Sequence, residues 1–159
     1  MQFEIDRDSL LRPLQAVIGV VERRQTLPVL ANVLLEIGDG RLAVTATDLE
    51  VELRAQVDLE AGEPGQVTVP ARKLMDIVRN LPDDSRVTVT RESERVVVRA
   101  GRSRFALTTL PAEDFPTVDQ VEASHRVSVP QAQLRWLIEK THFAMALQDV
   151  RYYLNGLLV

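Results

Sequence analysis

Residues 65–80, GQVTVPARKLMDIVRN, change hydrophobic period within one short stretch, and the interpretation of the whole chain follows from this change. Polar and apolar side chains alternate over 66–69, which predicts a β-strand with one buried face. Over 71–80 the apolar residues recur at helical spacing, which predicts an amphipathic helix. The apolar residues of that helix are Leu74, Ile77 and Val78.

This strand and helix belong to an order of elements that occurs twice in the chain. Three strand-like runs follow the helix: Val87–Thr90, Arg95–Arg99 and Arg104–Thr108. Upstream of the breaker Glu63-Pro64-Gly65, an alternating run at Gln2–Asp6 precedes a predicted helix over 8–24. Three more strand-like runs then follow, the first two separated by the turn signal Gly38-Asp39-Gly40: Val33–Ile37, Leu42–Ala46 and Val51–Val57. The sequence therefore predicts two β-α-β-β-β units in one pseudo-symmetric α+β domain ending near Leu110.

A second domain is predicted after a linker. The segment 111–119, PAEDFPTVD, holds two prolines and three acids, which is typical of a connection between domains. A strand over Val127–Val129 and a helix over 131–140 follow, and a further strand begins over Tyr152–Leu157 if the second domain repeats the first. We therefore expect one complete domain over 1–120 and the start of a second over 121–159.

An internal repeat relates the two predicted domains. At a spacing of 124 residues, Phe3 and Ile5 fall on Val127 and Val129, Leu10 falls on Leu134, and Leu14 falls on Ile138. At a spacing of 123, the string beginning at Asn32 falls on the one beginning at Asn155. Repeats of domain length are typical of stacked or ring-like arrays. Because the second copy ends inside its second predicted strand, we expect it to be truncated and to expose apolar surface.

Composition excludes several classes of function. The chain has no cysteine and only two histidines, which leaves no thiolate and few imidazoles for a metal site. It has no apolar run of transmembrane length and no leader-like N-terminus. We expect a cytoplasmic protein without metal, cofactor or membrane contact.

Charge is distributed unevenly along the chain. The three predicted helices, 8–24, 71–80 and 131–140, carry eight basic and four acidic residues, a balance of +4. Because the whole chain carries −4, the remainder carries −8. Such segregation can attract phosphate to one face and repel it elsewhere. Solubilising charges on helix surfaces would give the same balance, so the arithmetic leaves both interpretations open.

Several longer strings carry a resemblance that covers all 159 residues in order. They are TLPVLAN (26–32), TDLE (47–50), VPARK (69–73), GRSRF (101–105), TLPAEDFP (109–116) and QDVRYYLNG (148–156). Together they closely resemble the β subunit of bacterial DNA polymerase III, the sliding-clamp family. The resemblance implies the DNA clamp fold, in which helices lie on the inner face and antiparallel sheets lie outside.

The resemblance also implies a function. Three such domains per chain join head to tail into a dimeric ring around duplex DNA, bound without sequence preference. The ring is a processivity factor, not an enzyme. Its partners are DNA polymerase III, the clamp loader and other proteins that insert short linear peptides. A chain that lacks the third domain and most of the second is not expected to close the ring alone.

Site residues carry over from the family where the strings match. The DNA-binding residues implied by the resemblance are Arg24, Arg72, Gln148, Tyr152 and Tyr153. Arginines and glutamine can bind the DNA backbone, and tyrosine rings can stack on unpaired bases. One edge of the partner-peptide groove is implied at Arg151, Tyr153 and Leu154. We also expect the strand 104–108 to be a sheet edge whose Phe105 and Leu107 form a subunit interface.

Two other classes of function stay open at this point. An enzyme would need a base or a paired carboxylate, and the candidates are His142 with Asp149, and Asp48 with Glu50. Asp48 in a TDLE turn is more simply explained as a cap of its own backbone. A protein-interaction module without direct DNA contact is the main alternative, since the chain is acidic and the strand 104–108 could extend a sheet.

Overall fold

The computed structural model describes residues 1–21, 27–118, 124–147 and 149–158. The chain divides into two compact units, Met1–Asp119 and Gln120–Val159. The first unit holds both sheets, and the second unit holds one α-helix and short turns.

The described part of the first unit follows the predicted order β-α-β-β-β twice. Its two α-helices are α1 (Arg7–Val17) and α2 (Ala71–Asn80). Its strands are β1 (Gln2–Asp6), β2 (Asn32–Gly38), β3 (Arg41–Thr47), β4 (Glu52–Asp58), β5 (Gly65–Pro70), β6 (Arg86–Glu92), β7 (Arg95–Ala100) and β8 (Ser103–Thr108). The predicted turn between β2 and β3 is confirmed, because Asp39 and Gly40 both have positive φ, as a two-residue hairpin requires.

The first strand of each half pairs with a strand of the other half. β1 pairs antiparallel with β6, with Phe3 opposite Val89, and β5 pairs antiparallel with β2, with Val69 opposite Val33. Two antiparallel four-stranded sheets result, in the orders β1-β6-β7-β8 and β4-β3-β2-β5. Since each sheet contains strands from both halves, neither half can complete a sheet alone.

One hydrophobic core is shared by both sheets and both helices. In each helix the buried positions recur three or four residues apart, so that one stripe faces the core. The fully buried residues of these stripes are Leu10, Leu14 and Val17 in α1 and Ala71, Leu74 and Val78 in α2. The helices contact each other as well as the sheets, which leaves the opposite face of each helix in solvent.

The first helix is shorter than the sequence predicts. We expected a helix over 8–24, but α1 ends at Val17 and continues as a 3₁₀ turn over Ile18–Val20. Val21 is already extended and is 1% exposed. Glycine and β-branched residues weaken a helix, and here Gly19 lies between them. Burial of Val21 in the core is therefore achieved outside the helix.

The predicted linker packs against the first unit through one aromatic ring. Phe115 follows a 3₁₀ turn at Ala112–Asp114 and is 5% exposed. It forms a second, smaller apolar cluster with residues of β2 and of the 3₁₀ turn Pro28–Ala31. The buried members besides Phe115 are Val29, Leu30 and Leu34. The segment after β8 is thus held at the surface of the β4-β3-β2-β5 sheet.

A buried hydroxyl reinforces this attachment. Thr68 Oγ1 accepts hydrogen bonds from Asn32 Nδ2 at 3.0 Å and from the Leu110 N–H at 3.0 Å, and donates to the Leu110 carbonyl at 2.7 Å. A hydroxyl has one donor and two acceptor sites, so Thr68 uses all of them. The network joins β2, β5 and the chain that leaves β8.

The second unit repeats the helix and the 3₁₀ turns of the first half of the first unit. Its helix α3 (Gln131–Thr141) lies 124 residues after α1 at both ends. Its 3₁₀ turns at His142–Ala144 and Tyr152–Asn155 lie 124 residues after Ile18–Val20 and Pro28–Ala31. The internal repeat predicted from apolar spacing is therefore present in the backbone.

Two predicted strands of the second unit are wrong. Residues Val127–Val129 form no strand, and Tyr152–Asn155 is a 3₁₀ turn without a strand after it in the described residues. A strand requires a hydrogen-bonding partner. In the first unit β1 pairs with β6 and β2 pairs with β3 and β5, and positions 124 residues beyond β3, β5 and β6 fall outside the 159 residues.

Replacing Phe115 with alanine should destabilise the first unit by about 3–5 kcal/mol, as expected when a buried phenylalanine is removed. Phe143→Ala is the matched control, because Phe143 is 79% exposed and should cost less than about 0.5 kcal/mol. Urea denaturation of the two variants measures the difference. Equal stabilities would mean that Phe115 does not hold the segment after β8.

Candidate nucleic-acid interface

All four charged side chains of α2 lie on its solvent face. Burial of Ala71, Leu74 and Val78 turns one side of the helix to the core. The opposite side then presents four charged residues, all exposed: Arg72, Lys73, Asp76 and Arg79. Three cations and one anion give this face a net positive charge, as the sequence balance over the predicted helices suggested.

Arg72 links α2 to the end of the α1 segment. Its Nη2 donates a short hydrogen bond to the carbonyl of Val21, 51 residues away. A guanidinium has five N–H donors in a planar fork, so one bond to a carbonyl leaves others available for an anion. Arg72 can therefore bind phosphate while it also holds Val21, the last described residue before the segment 22–26.

Arg79 differs from its neighbours because it already has an anion beside it. Its Nη2 lies 3.2 Å from Asp76 Oδ1, one helical turn earlier. Both side chains are more than half exposed, so the pair contributes little to stability. It nevertheless cancels most of the field that Arg79 would project from the helix.

Two of the expected DNA-binding residues, Arg24 and Gln148, lie outside the described residues. Their positions in sequence are nevertheless related by the spacing of 124 that also relates α1 to α3. The described residues nearest to Arg24 in sequence are Val21, which is 1% exposed, and Leu27, which is 47% exposed.

The two tyrosines of the second unit lie together on its surface. Tyr152 is 83% exposed and Tyr153 is 69% exposed, and their ring centroids are 6.1 Å apart at 76°. The sequence required one of them to face inward if a strand began there. Because the backbone forms a 3₁₀ turn instead, both rings are available to solvent and to a stacking partner.

The expected groove-edge residues Arg151 and Leu154 belong to the same loop as the tyrosines. Arg151 donates from Nε and Nη2 to the carboxylate of Asp149 at 3.0 and 2.9 Å. The Leu154 carbonyl accepts the N–H of Ala146 at 2.9 Å, which closes the loop. The Arg151 guanidinium lowers the pKa of Asp149, and the carboxylate raises the pKa of Arg151.

Apolar side chains of the second unit are exposed where their counterparts in the first unit are buried. Leu10 and Leu14 are 0% exposed, whereas their repeat partners Leu134 and Ile138 are 39% and 44% exposed. No described residue of this unit is buried. The helix α3 thus has the sequence of a core helix, but the described residues of its own unit include no sheet.

The strand β8 is an edge of its sheet, paired with β7 on one side. Its alternation places Phe105 and Leu107 on one face, and that face belongs to the core of the first unit. Leu107 is 7% exposed, whereas Phe105 is only partly buried. Of the two expected interface residues, only Phe105 therefore presents substantial side-chain surface.

The candidate catalytic residues make structural contacts. Asp48 accepts backbone N–H groups of Glu50 at 2.9 Å and Val51 at 2.7 Å, which confirms that it caps its own turn. The N–H of Val51, more than any other group, lowers the pKa of Asp48. The His142 ring lies 3.2 Å from the Ile138 carbonyl, and Asp149 is bound by Arg151. None of these groups is arranged as a base with a nucleophile.

In the described ranges, His, Asp and Glu side chains do not gather in threes in a way that could hold a metal ion. In the same ranges, no helix is both long enough and apolar enough to cross a membrane.

Two features of this surface were not predicted from the sequence. Lys73 was present in the VPARK string but was not singled out, although it is the neighbour of Arg72 on the exposed face. The hydrogen bond from Arg72 to Val21 had no signal in sequence, because the two residues are 51 positions apart.

Comparison with known proteins finds one family throughout. The family model described as DNA polymerase III beta subunit, N-terminal domain, matches residues 1–119. The Beta sliding clamp of Pseudomonas aeruginosa is 59% identical over 160 residues, which cover 100% of this chain and 44% of that protein. The Beta sliding clamp of Escherichia coli strain K12 is 53% identical over 159 residues, covering 99% and 43%. This chain therefore spans less than half the length of these relatives.

The solved structures agree with the sequences. A crystal structure of the DNA polymerase III subunit beta from Pseudomonas aeruginosa superposes with a TM-score of 0.94 at 58% identity, over 98% of this chain and 42% of that one. This likeness confirms the predicted fold class, α+β with the DNA clamp fold.

Asp48→Ala should remove the cap of the turn before β4 and lower the free energy of unfolding at neutral pH by about 1 kcal/mol, as loss of a comparable helix cap does. The folded-state pKa of Asp48 lies below its ordinary value of 3.8. Its stabilisation is therefore complete above pH 3.8 and is lost as the pH falls through the folded-state pKa. The gap between wild type and variant should close in that acidic window.

Denaturation at a series of pH values measures this gap. Glu50→Ala is the control, because the exposed Glu50 carboxylate accepts no hydrogen bond from a described residue. A gap for Asp48→Ala that did not change with pH would show that the ionised carboxylate is not what stabilises the turn.

Proposed function

The chain belongs to the DNA polymerase III beta subunit family, and from that membership we propose that it is the N-terminal part of a sliding clamp. In this proposal the full-length protein forms a head-to-tail dimeric ring around duplex DNA. The ring holds the replicative polymerase on its template and acts as a processivity factor. The 159 residues alone do not close the ring.

The observation that carries the proposal is the match over the whole chain. Identity of 59% extends over 100% of the 159 residues, including the strings that hold the candidate DNA-binding residues. A match confined to the core would support the fold alone, because one fold serves many functions. Here the VPARK and QDVRYY strings, which contain the exposed Arg72, Tyr152 and Tyr153, are part of the matched chain.

Electrostatics supports encirclement rather than tight binding. The chain is acidic overall, at −4, while α2 presents a net positive face. A protein that binds DNA tightly would need many cations, because each phosphate contact contributes through counterion release. A closed ring is retained by topology, so a few contacts are sufficient. The acidic remainder also keeps DNA from binding elsewhere on the protein.

We assign the DNA contacts to five residues. Arg24 and Arg72 pair with phosphate oxygens, and Gln148 hydrogen-bonds to the backbone. Tyr152 and Tyr153 stack on unpaired bases at a primer-template junction. The exposure of both rings and of Arg72 supports this assignment. None of these contacts distinguishes one base pair from another, so binding is independent of sequence.

Partner proteins are proposed to bind at a groove of which Arg151, Tyr153 and Leu154 form one edge. The partners are DNA polymerase III, the clamp loader and other clamp-binding proteins, each through a short linear peptide. Exposure of Tyr153 and partial exposure of Leu154 support a role in docking apolar peptide side chains.

Domain organisation is part of the same proposal. We propose that 1–120 is a complete clamp domain and that 121–159 begins a second one. The repeat of helix and turns at a spacing of 124 supports this, as does the exposed apolar side of α3. In the full-length protein, strands from the rest of the second domain cover that side.

The proposed role is non-catalytic and cytoplasmic. Three of the four candidate acid and base residues, Asp48, His142 and Asp149, have structural partners, which favours a binding function. Bacterial chromosomes are replicated in the cytoplasm, and the curated relatives are bacterial sliding clamps.

Retention on DNA should depend on DNA topology. The full-length protein, loaded by a clamp loader onto primed circular DNA, should stay bound through gel filtration at moderate salt and should be released when the circle is cut once. A ring slides off a free end, whereas a protein bound by local contacts does not. Equal retention on cut and uncut DNA would contradict encirclement. If no protein were retained on the uncut circular DNA after incubation with the clamp loader, the protein-interaction module without DNA contact would be favoured.

Phe105→Glu in the full-length protein should convert the dimer into a monomer, because a charge at a partly buried interface position is costly to desolvate. Leu107 is unsuitable for this test, since it lies in the core and its replacement would unfold the unit. Ala106→Glu, on the opposite face of β8, is the control and should leave the dimer intact. Sedimentation measures both, and a dimeric Phe105→Glu protein would exclude this interface.

A further inference from the structure

Lys73 stands apart from the other cations of α2. It is exposed, and among the described residues no carboxylate lies within ion-pair distance of its ammonium group. Arg72 has a hydrogen bond to the Val21 carbonyl, and Arg79 has an ion pair with Asp76. Of the three cations on this face, Lys73 alone thus has neither a hydrogen bond nor an ion pair among the described residues.

Lys73 is next to Arg72, the proposed phosphate-binding residue, on α2. Successive residues of an α-helix differ by about 100° and a rise of about 1.5 Å. The side chains of Arg72 and Lys73 therefore leave the same turn of α2, on either side of the exposed face. Lysine presents a compact charge on a flexible stem, which can follow a phosphate without fixed geometry.

We propose that Lys73 is a further phosphate-binding residue of the interface and that Arg79, on the same face, is not. This inference rests on the proposed function, since it presumes that α2 faces the DNA backbone. Lys73 neutralises a phosphate and releases its counterion. Arg79 keeps other N–H donors free, but the Asp76 carboxylate 3.2 Å from its Nη2 offsets its charge and would repel the same phosphate.

The salt dependence of binding separates these roles. The logarithm of the binding constant falls linearly with the logarithm of salt concentration, and the slope drops by roughly one unit for each phosphate contact removed. Lys73→Gln should lower the slope by about one unit. The paired change Asp76→Asn with Arg79→Gln should leave it at the wild-type value, because it removes an ion pair and no phosphate contact.

Two further variants and a melting measurement serve as controls. Arg99→Gln removes one positive charge from β7, on the sheet face opposite the core residues Val96 and Val98, and should not change the slope. Lys73→Arg should restore the wild-type slope, since arginine also binds phosphate. Thermal melting should be unchanged for Lys73→Gln, as for most exposed substitutions.

The measurement is a titration of the full-length protein with a fluorescent duplex at several salt concentrations. Arg24→Gln tests the proposed function in the same assay and should lower the slope by about one unit. If Arg24→Gln lowers the slope and Lys73→Gln matches Arg99→Gln, the role of Lys73 is overturned. If the paired change lowers the slope as Lys73→Gln does, Arg79 binds phosphate despite Asp76 and the distinction fails. Wild-type binding without salt dependence would overturn the proposed function itself.

Discussion

Exchange of the first strands between the two halves of the first unit is the constraint on which the rest of this structure depends. β1 is hydrogen-bonded to β6, and β5 is hydrogen-bonded to β2, so each sheet is completed by a strand from the opposite half. A single β-α-β-β-β unit would leave a three-stranded sheet with an unpaired edge and a helix with one exposed apolar stripe. The exchange adds a fourth strand to each sheet, buries the apolar stripe of each helix and joins the two halves through one shared core.

The arrangement of the two helices follows from this exchange. Because α1 follows β1 and α2 follows β5, the same pairing that completes the sheets brings the helices into contact and turns their polar faces to solvent. The contact places Arg72 beside the carbonyl of Val21 and leaves Lys73 exposed. In the proposed clamp, long cationic side chains on a helix suit a DNA duplex that slides past them, since exposed charge contacts are individually weak and can be remade at successive phosphates.

The second unit shows what the repeated sequence does without the exchange. It has the helix and the 3₁₀ turns of the first half at the same spacing, yet its apolar positions are exposed and its predicted strands are absent from the described residues. Helices close their hydrogen bonds within one segment, whereas strands need a partner. Local sequence is therefore sufficient for α3 and insufficient for the counterpart of β1. The comparison of Leu10 with Leu134 isolates this effect, because the two residues occupy the same place in the repeat.

The sequence by itself determined the order of the elements, the repeat at 124 residues, the family and the candidate DNA-binding strings. These properties are local: the period of apolar residues, turn signals such as Asp39-Gly40, and runs of neighbouring residues such as VPARK. The predicted end of α1 was wrong, because the burial of Val21 outweighs the helical spacing of the apolar residues before it. Only the tertiary structure decided which strands pair and that Phe115 attaches the segment after β8. It also decided that Leu107 belongs to the core, and that Arg72 is hydrogen-bonded to Val21 while Lys73 is not. Each of these joins residues tens of positions apart. Their proximity depends on the free energy of the whole core, which no local period in the sequence encodes.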